Sequence, residues 1–353
     1  MNYQHVQNDM RARIKDFFRR YLIALSWVYL TILAVWILGH LITGDRYVPI
    51  ALLTLIGPYL FAPLVLIVPL AAVTRRMELI AGISLGALFF FAFYGRNLLL
   101  KFTESPSRST LSVMTYNVLG MQGEIDPAIH VIDEVGADVI FLLELTPDLA
   151  QEIETRLAER YPYQITDPKE GVTGMGVISR FPLEETGDEL DLNWVGEPQI
   201  LTLRWEGEQI TLINFHSWAF GLSTFEVLQH NFRMREAHAY VLANYARDAM
   251  KIGQVIAAGD LNAVDRSDAY RHITKVLHDS WQEAGRGFGH TFPGSAGPAS
   301  SRPIIGGWPI PKWLARIDYV FVSDGLETVE ARLAPFDGVS DHRGVVVELA
   351  LDS

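Results

Sequence analysis

Three long runs without a charged side chain dominate the N-terminal part of the chain. No Lys, Arg, Asp or Glu lies in 21–44, 47–74 or 79–95. Each run reaches or approaches the ~20 apolar residues that a helix needs to cross a bilayer. Three in succession ahead of a more polar region predict membrane spans at about residues 21–43, 48–73 and 78–95 rather than buried core helices. The second run contains Pro58, Pro63 and Pro69, which predicts a kinked or partly re-entrant segment. A cleaved signal peptide does not fit, because two further apolar runs follow the first.

Residues 102–110, Phe-Thr-Glu-Ser-Pro-Ser-Arg-Ser-Thr, are polar and carry the Ser and Pro of a linker. The organisation expected is a membrane domain over 1–101, the linker, and a second domain over 111–353. That domain reads as alternating strands and helices. Strand-like runs cover 111–119, 138–145, 176–179, 199–205, 209–216, 254–258, 318–322 and 344–349. Helical spacing covers 126–135, 149–160 (with Leu149, Ile153 and Leu157 on one face) and 225–250. Several strands are apolar on both faces, which predicts an α/β domain.

Composition sharpens the division. Of 353 residues, 49% are hydrophobic and 20% charged, with a mean hydropathy of +0.17. The chain is too apolar for disorder and more apolar than an ordinary soluble protein. The absence of cysteine excludes disulfides, a thiolate nucleophile and a cysteine-ligated metal. The net charge of −12 conceals an asymmetry: residues 1–110 hold 11 basic and 5 acidic side chains, and the remainder 18 basic and 36 acidic. Basic residues near span ends set orientation. Arg11, Arg13, Lys15, Arg19 and Arg20 precede the first span, and Arg75 and Arg76 separate the second from the third. This pattern expects an integral protein of a plasma or inner membrane, with everything after about residue 96 extracytoplasmic. Arg96, Lys101 and Arg108 weigh the other way, and two spans would leave the second domain in the cytoplasm. The spans carry no acid pair, which argues against a transporter.

Polar residues interrupt the apolar strands at their ends. Asn117, Glu144 and His216 close three of them, Asp260 and Asn262 follow a fourth, Asp318 opens a fifth, and Asp341-His342 precede a sixth. Any one of these has a plain explanation, since Asn and Asp end strands and start turns. Together they are acid, amide and imidazole groups at positions where a sheet presents side chains to a shared cleft. An oxygen-rich set of this kind suits Mg²⁺, Mn²⁺ or Ca²⁺ rather than zinc.

The same residues carry a resemblance. Met-Thr-Tyr-Asn-Val (114–118), Asp-Val-Ile-Phe-Leu-Leu-Glu (138–144), Gly-Val-Ile-Ser-Arg-Phe-Pro (176–182), Asn-Phe-His (214–216), Gly-Asp-Leu-Asn-Ala (259–263), Arg-Ile-Asp-Tyr-Val (316–320) and Ser-Asp-His (340–342) occur in this order. The ordered set resembles the endonuclease/exonuclease/phosphatase superfamily, with its DNase I-like fold, over about residues 111–351. The resemblance implies a four-layer α/β sandwich of two packed mixed sheets flanked by helices, here preceded by about three transmembrane helices. It also implies hydrolysis of a phosphate mono- or diester by direct in-line attack of water, dependent on a divalent cation such as Mg²⁺. By the same resemblance Glu144 is the main metal carboxylate, with Asn117 beside it and Asp341 as a metal-side or supporting acid. Asp260 deprotonates the water and Asn262 positions it. His342, oriented by Asp318, and His216 face the phosphate.

Phosphoester hydrolysis needs an in-line water and stabilisation of charge on the phosphoryl oxygens. A cation with imidazole and amide donors supplies the second, and a carboxylate accepts the proton of the first. Ser340-Asp341-His342 is not a serine-hydrolase triad, since the chain lacks the Gly-x-Ser-x-Gly elbow beside it. Arg180 reads as a strand brace, and Arg233 and Arg235 as a solvated helix face. His230, His238, His272 and His278 show no ligand spacing. Arg343-Gly344 depart from the family's apolar or proline-containing continuation.

The acidic balance of the second domain lacks the Lys/Arg footprint of duplex DNA binding, so a small or lipid-borne phosphoester is expected ahead of nucleic acid. An extracytoplasmic nuclease with the same site, and a non-catalytic membrane-bound module, are the alternatives. The loop 290–313 leaves two readings open for Trp308, Ile310 and Trp313: contact with a bilayer interface, or packing over the edge of the sandwich.

Overall fold

The computed structural model describes residues 3–99, 101, 109–120, 124–219, 224–296, 300 and 302–351. The chain divides into two compact units, Met1–Arg96 and Asn97–Ser353.

The first unit is helical: α1 (Tyr3–Thr43), α2 (Val48–Leu55), a 3₁₀ turn (Gly57–Phe61), α3 (Pro63–Thr74) and α4 (Met77–Leu98). Three helical stretches, Met10–Thr43, Gly57–Thr74 and Met77–Leu98, are long and apolar enough to cross a membrane. The second expected span, 48–73, is interrupted, because α2 ends at Leu55 with Ile56 as its C-cap. Pro58 and Pro63 stand in the first turns of the segments that follow, where a missing N–H costs no hydrogen bond. Only Pro69 lies inside a helix. Trp36 is buried against Phe61 and Phe93.

The second unit holds two six-stranded sheets, both mixed. The first runs β13 (Leu326–Leu333), β14 (Val345–Leu351), β1 (Leu111–Asn117), β2 (Val139–Leu143), β4 (Met175–Ser179), β3 (Tyr163–Asp167). The second runs β5 (Leu183–Glu185), β6 (Gly196–Trp205), β7 (Glu208–His216), β8 (Gln254–Asp260), β12 (Asp318–Val322), β9 (His278–Asp279). Pairing is parallel for β1–β2 and β7–β8 and antiparallel elsewhere. A separate hairpin joins β10 (Ile304–Ile305) to β11 (Trp308–Pro309).

The two-residue period of the strands sorts the side chains into layers. Val113, Phe141, Leu212, Ile256 and Val320 meet between the sheets. Their neighbours Met114, Ile140 and Leu142 face α5 (Asp126–Val135) and α6 (Pro147–Leu157). On the other side Ile213, Val255, Ala257 and Phe321 face α7 (Phe225–Ala249) and α8 (Asp268–Ile273). The order helix, sheet, sheet, helix is the four-layer sandwich expected. A short α9 (Ser280–Ala284) follows β9. Buried Asn214 pins the sheets together: its Nδ2 donates to the carbonyls of Gly176 (3.1 Å) and Leu142 (3.3 Å) in the first sheet.

The register brings the strand ends to one place. His216 and Asp260 end the parallel strands β7 and β8 as register partners, and Asp318 opens β12 opposite Asp260. Asn117 ends β1 beside Leu143, one residue before Glu144. The segment before β14 crosses this end, where Ser340 Oγ donates to the Asn117 carbonyl at 2.9 Å. Gly259 is required by the pairing, since a Cβ there would lie 1.9 Å from the Phe215 carbonyl oxygen.

Candidate active site

Eight side chains singled out from the sequence are buried at these strand ends: Asn117, Glu144, His216, Asp260, Asn262, Asp318, Asp341 and His342. They fall into two linked groups.

In the first group, Asn117 Nδ2 donates to Glu144 Oε1 at 3.0 Å while its own Oδ1 accepts from the Leu119 N–H at 3.1 Å. Glu144 has φ 59°, in the left-handed region. For a non-glycine residue this costs of order 1–3 kcal/mol and persists where surrounding contacts enforce it. Burial pushes the Glu144 carboxyl up to about 7, against the lowering effect of the Asn117 hydrogen bond and the His342 charge.

In the second group, Asp260 Oδ1 accepts from the Asn262 N–H at 2.7 Å, and Oδ2 accepts from Asn262 Nδ2 at 3.1 Å. Asn262 Nδ2 also donates to the Ser217 carbonyl at 3.0 Å. Asn262 has φ 52°, a conformation that Asn tolerates better than most residues. His342 Nδ1 lies 2.9 Å from Asp318 Oδ2. The opposite nitrogen, Nε2, is 3.8 Å from Asp260 Oδ2 and 3.9 Å from Asp341 Oδ1. His216 Nε2 is 3.7 Å from Asp260 Oδ2.

Electrostatics follow from the burial. The Asp260 carboxyl stands well above the ordinary carboxylate range because it is desolvated and faces Asp318, with His342 opposing. Burial alone would lower His342, but the Asp318, Asp260 and Asp341 carboxylates outweigh it and favour the imidazolium. His216, desolvated and beside the charged His342, is lowered to about 3 and stays neutral. The groups sense one another across the sheets: Glu144 feels His342, Asp341 and Asp318, and Asp260 feels Glu144. Strand register and the Ser340–Asn117 bond bring both groups to the same end of the two sheets.

Two carboxylate oxygens bear on a cation. Glu144 Oε2 and Asp318 Oδ1 are buried without a hydrogen-bond partner among the described residues, a costly state that a hard cation relieves. Among the described residues, the ligand atoms of Asp260, Asp318 and His342 lie within 4.8 Å of one another. This donor set is compatible with a divalent ion.

Other residues pack around these groups, and the sequence reading assigned Phe292, Ser217, Trp194 and Asn231 no role. The His342 N–H donates to Ser340 Oγ at 3.0 Å, and the Phe292 ring packs on the His342 ring at 5.1 Å. Behind Asn262, Ser217 Oγ contacts His238 Nδ1 at 2.9 Å, and Trp194 stacks on that ring at 4.0 Å. Arg235 is not on a solvated face: it is 1% exposed, with its Nη1 on the Trp218 carbonyl at 3.5 Å. Asn231 Nδ2 binds the Ala219 carbonyl at 2.9 Å. Asn231, Arg235 and His238 recur at helical spacing on α7, a polar stripe aimed at the loop after His216. Arg180 is a brace, donating to Asp138 Oδ1 (3.0 Å) and the Gly136 carbonyl (2.6 Å). Arg316 makes a buried bidentate pair with Asp279 (2.9 and 2.7 Å).

Within the 290–313 loop the two tryptophans differ in their surroundings. Trp313 packs over the edge, on Phe336 at 4.9 Å and under the Arg343 guanidinium at 4.0 Å. Trp308 is 80% exposed.

A profile of the Endonuclease/Exonuclease/phosphatase family matches residues 114–342. The chain belongs to that family. Membership makes it a phosphoric ester hydrolase, and the matched span runs from Met114, within β1, to His342. Truncated TDP2 from Caenorhabditis elegans is similar in structure, at 19% identity and a TM-score of 0.52, covering 68% of this chain and 97% of that one. TDP2 from D. rerio, complexed with a single-strand DNA product, is similar at 18% identity and a TM-score of 0.53, covering 69% and 100%. An endonuclease/exonuclease/phosphatase from Bacteroides vulgatus gives 17% and 0.52, covering 69% and 100%. At these identities the likeness is one of fold. No curated protein sequence matches the chain significantly.

Proposed function

We propose that this family member is a membrane-anchored, divalent-cation-dependent phosphoesterase that hydrolyses a phosphate mono- or diester by direct attack of water. The observation that carries the reading is the convergence of Glu144, Asp260, Asp318 and His342 at one end of both sheets. Glu144 would hold the cation, with Asn117 and Asp341 beside it, and Mg²⁺ suits the oxygen donors best, with Mn²⁺ and Ca²⁺ as substitutes. When bound, the ion supplies Lewis-acid stabilisation of charge at the phosphoryl oxygens.

The protein's own groups account for the remaining chemistry. Asp260 is held by two donors from Asn262 and is made basic by desolvation and Asp318, so it accepts the proton of the attacking water. Asn262 positions that water. His342 keeps its proton on the side facing the phosphate because Asp318 takes the other ring nitrogen. His216 stays neutral and contributes a donor without a charge. No covalent nucleophile is needed.

The spans would anchor the chain in a plasma or inner membrane, and the basic residues in the first half of α1 and after α3 favour an extracytoplasmic catalytic domain. A small or lipid-borne phosphoester is favoured by the acidity of residues 111–353, which lack the cationic footprint of duplex binding. A nuclease acting on single strands is the second reading, because the similar D. rerio protein is seen with a single-strand DNA product.

The test is a panel assay of the purified full chain with Mg²⁺, Mn²⁺, Ca²⁺ or EDTA. It offers phosphomonoesters, phosphodiesters, phospholipids, and single- and double-stranded DNA. The proposal expects cation-dependent hydrolysis of a non-nucleic phosphoester that Asp260→Ala abolishes. DNA as the sole substrate would establish the second reading. EDTA-resistant turnover would contradict both.

A further inference from the structure

The β10–β11 hairpin presents apolar side chains to solvent. Ile304, Ile305 and Trp308 are 65, 71 and 80% exposed, around the Gly306-Gly307 tip. A folded protein gains nothing by holding such groups in water, and a rigid apolar patch of this kind marks an interaction site.

The hairpin is fastened to the active-site rim. Arg302 Nη1 donates to the Gly294 carbonyl at 2.9 Å, and Gly294 N donates to the Asp341 carbonyl at 2.6 Å. Beyond the hairpin, Trp313 N donates to the Pro293 carbonyl at 2.9 Å. Next to these anchors stands Phe292, whose ring packs on His342. Whatever seats the hairpin therefore fixes the position of the phosphate-facing edge of the site.

Charge selects the occupant. From residue 284 to 317 there is no Asp or Glu, the longest acid-free run in residues 111–353, whose balance is otherwise strongly acidic. The same run carries Arg286, Arg302, Lys312 and Arg316. Arg316 is buried, whereas Arg286 and Lys312 are exposed. Tryptophan and isoleucine in one acid-free run with exposed cations match a bilayer with anionic headgroups, where Trp favours the interface and Lys and Arg the surface. The last apolar helix ends at Leu98, only twelve residues before Leu111 in the sequence.

We propose that the β10–β11 hairpin docks the rim of the active site onto the surface of an anionic lipid bilayer, so that the substrate is a phosphoester carried in that bilayer. The inference rests on the anchored-phosphoesterase reading and narrows it to lipid-borne substrates.

The chain has no cysteine, so single cysteines can be labelled in the full-length protein. An environment-sensitive fluorophore is placed at Ile305→Cys, at Ile252→Cys on an exposed turn after α7, and at Leu38→Cys in α1. Each variant is reconstituted in phosphatidylcholine containing about 30% phosphatidylglycerol, with nitroxide-labelled lipid as quencher. Quenching at 305 is expected to exceed that at 252 about threefold, and to fall when Trp308→Ser is added. Quenching at 38 with none in excess at 305 would overturn the docking and leave the anchor standing. Absence of quenching at 38 would overturn the anchor and the docking together. Blue-shifted emission at 305 without quenching signals a protein partner, such as a second copy, and would overturn the lipid assignment.

Discussion

Asp318 Oδ2 and His342 Nδ1 are 2.9 Å apart across the gap between the two sheets, and this contact leaves His342 Nε2 3.8 Å from Asp260. A buried acid on one nitrogen of a ring fixes which nitrogen faces the reacting group. Asp318→Asn and His342→Asn are each expected to lower kcat by about 10²–10⁴-fold. Because the pair acts as a unit, the double variant should be little worse than either alone. Steady-state kinetics of the three proteins check this, and fully additive losses would show that the two residues act separately.

Asn117 should matter through the cation rather than through the reaction step. Its amide holds one oxygen of Glu144 at 3.0 Å while the other has no hydrogen-bond partner among the described residues. Asn117→Ala is expected to weaken divalent-ion affinity by about 10–100-fold, with most of the rate recovered at saturating metal. Titration with Mn²⁺ followed by electron paramagnetic resonance reads the affinity directly. An unchanged affinity would remove Glu144 from the metal-holding role.

His238 links acid stability to the site. Burial lowers its pKa from 6.5 to about 4, helped by Arg235 and opposed by the Asn193 carbonyl. Below pH 6.5 the unfolded chain takes up a proton that the folded protein refuses until about pH 4. The contribution is thus complete above 6.5 and is lost as the pH falls between these values, by up to about 3 kcal/mol. His238→Gln should lose less stability than the unsubstituted protein between pH 7 and 4.5 in thermal unfolding, flattening the slope about as far as that figure allows. Equal slopes would mean that His238 accepts a proton while folded.

The Arg316–Asp279 pair is structural. The guanidinium is 1% exposed, stacks 4.6 Å over Tyr319 and makes two hydrogen bonds to Asp279, which also caps α9. Arg316→Met leaves a buried carboxylate without its counter-charge and is expected to cost about 3–5 kcal/mol. Urea unfolding of the full chain in detergent measures it, and a loss below about 1 kcal/mol would mean that water reaches Asp279.

The fold was legible where the chain is buried on both sides. Val139–Leu143 and Gln254–Asp260 are nearly unbroken apolar runs because helices and a second sheet cover their faces. The strands at 163–167 and 183–185 went unread because they are half-exposed, mixed-polarity edge strands, with no apolar run to mark them. The candidate residues were legible because acids and amides break apolar strands at their ends. Which of them meet was not, because the meeting depends on register: Asp260 faces Asp318 only through the antiparallel pairing of β8 and β12. Arg235 and His238 were hidden by α7, whose mixed surface gives a buried polar stripe the look of an ordinary solvated face. The interruption of the second span at Ile56 was foreshadowed by its prolines, though not its position.

The central claim is that Glu144, Asp260 and His342 serve one cation-assisted attack of water on phosphorus. The most direct measurement is turnover of an unactivated phosphodiester by the full chain, freed of metal with EDTA and restored with Mg²⁺, for the unsubstituted protein and for Asp260→Asn. The account predicts no turnover without the ion, recovery with it, and a loss of at least about 10³-fold in the variant at every Mg²⁺ concentration. Turnover that survives EDTA, or a variant that keeps its rate, would contradict it.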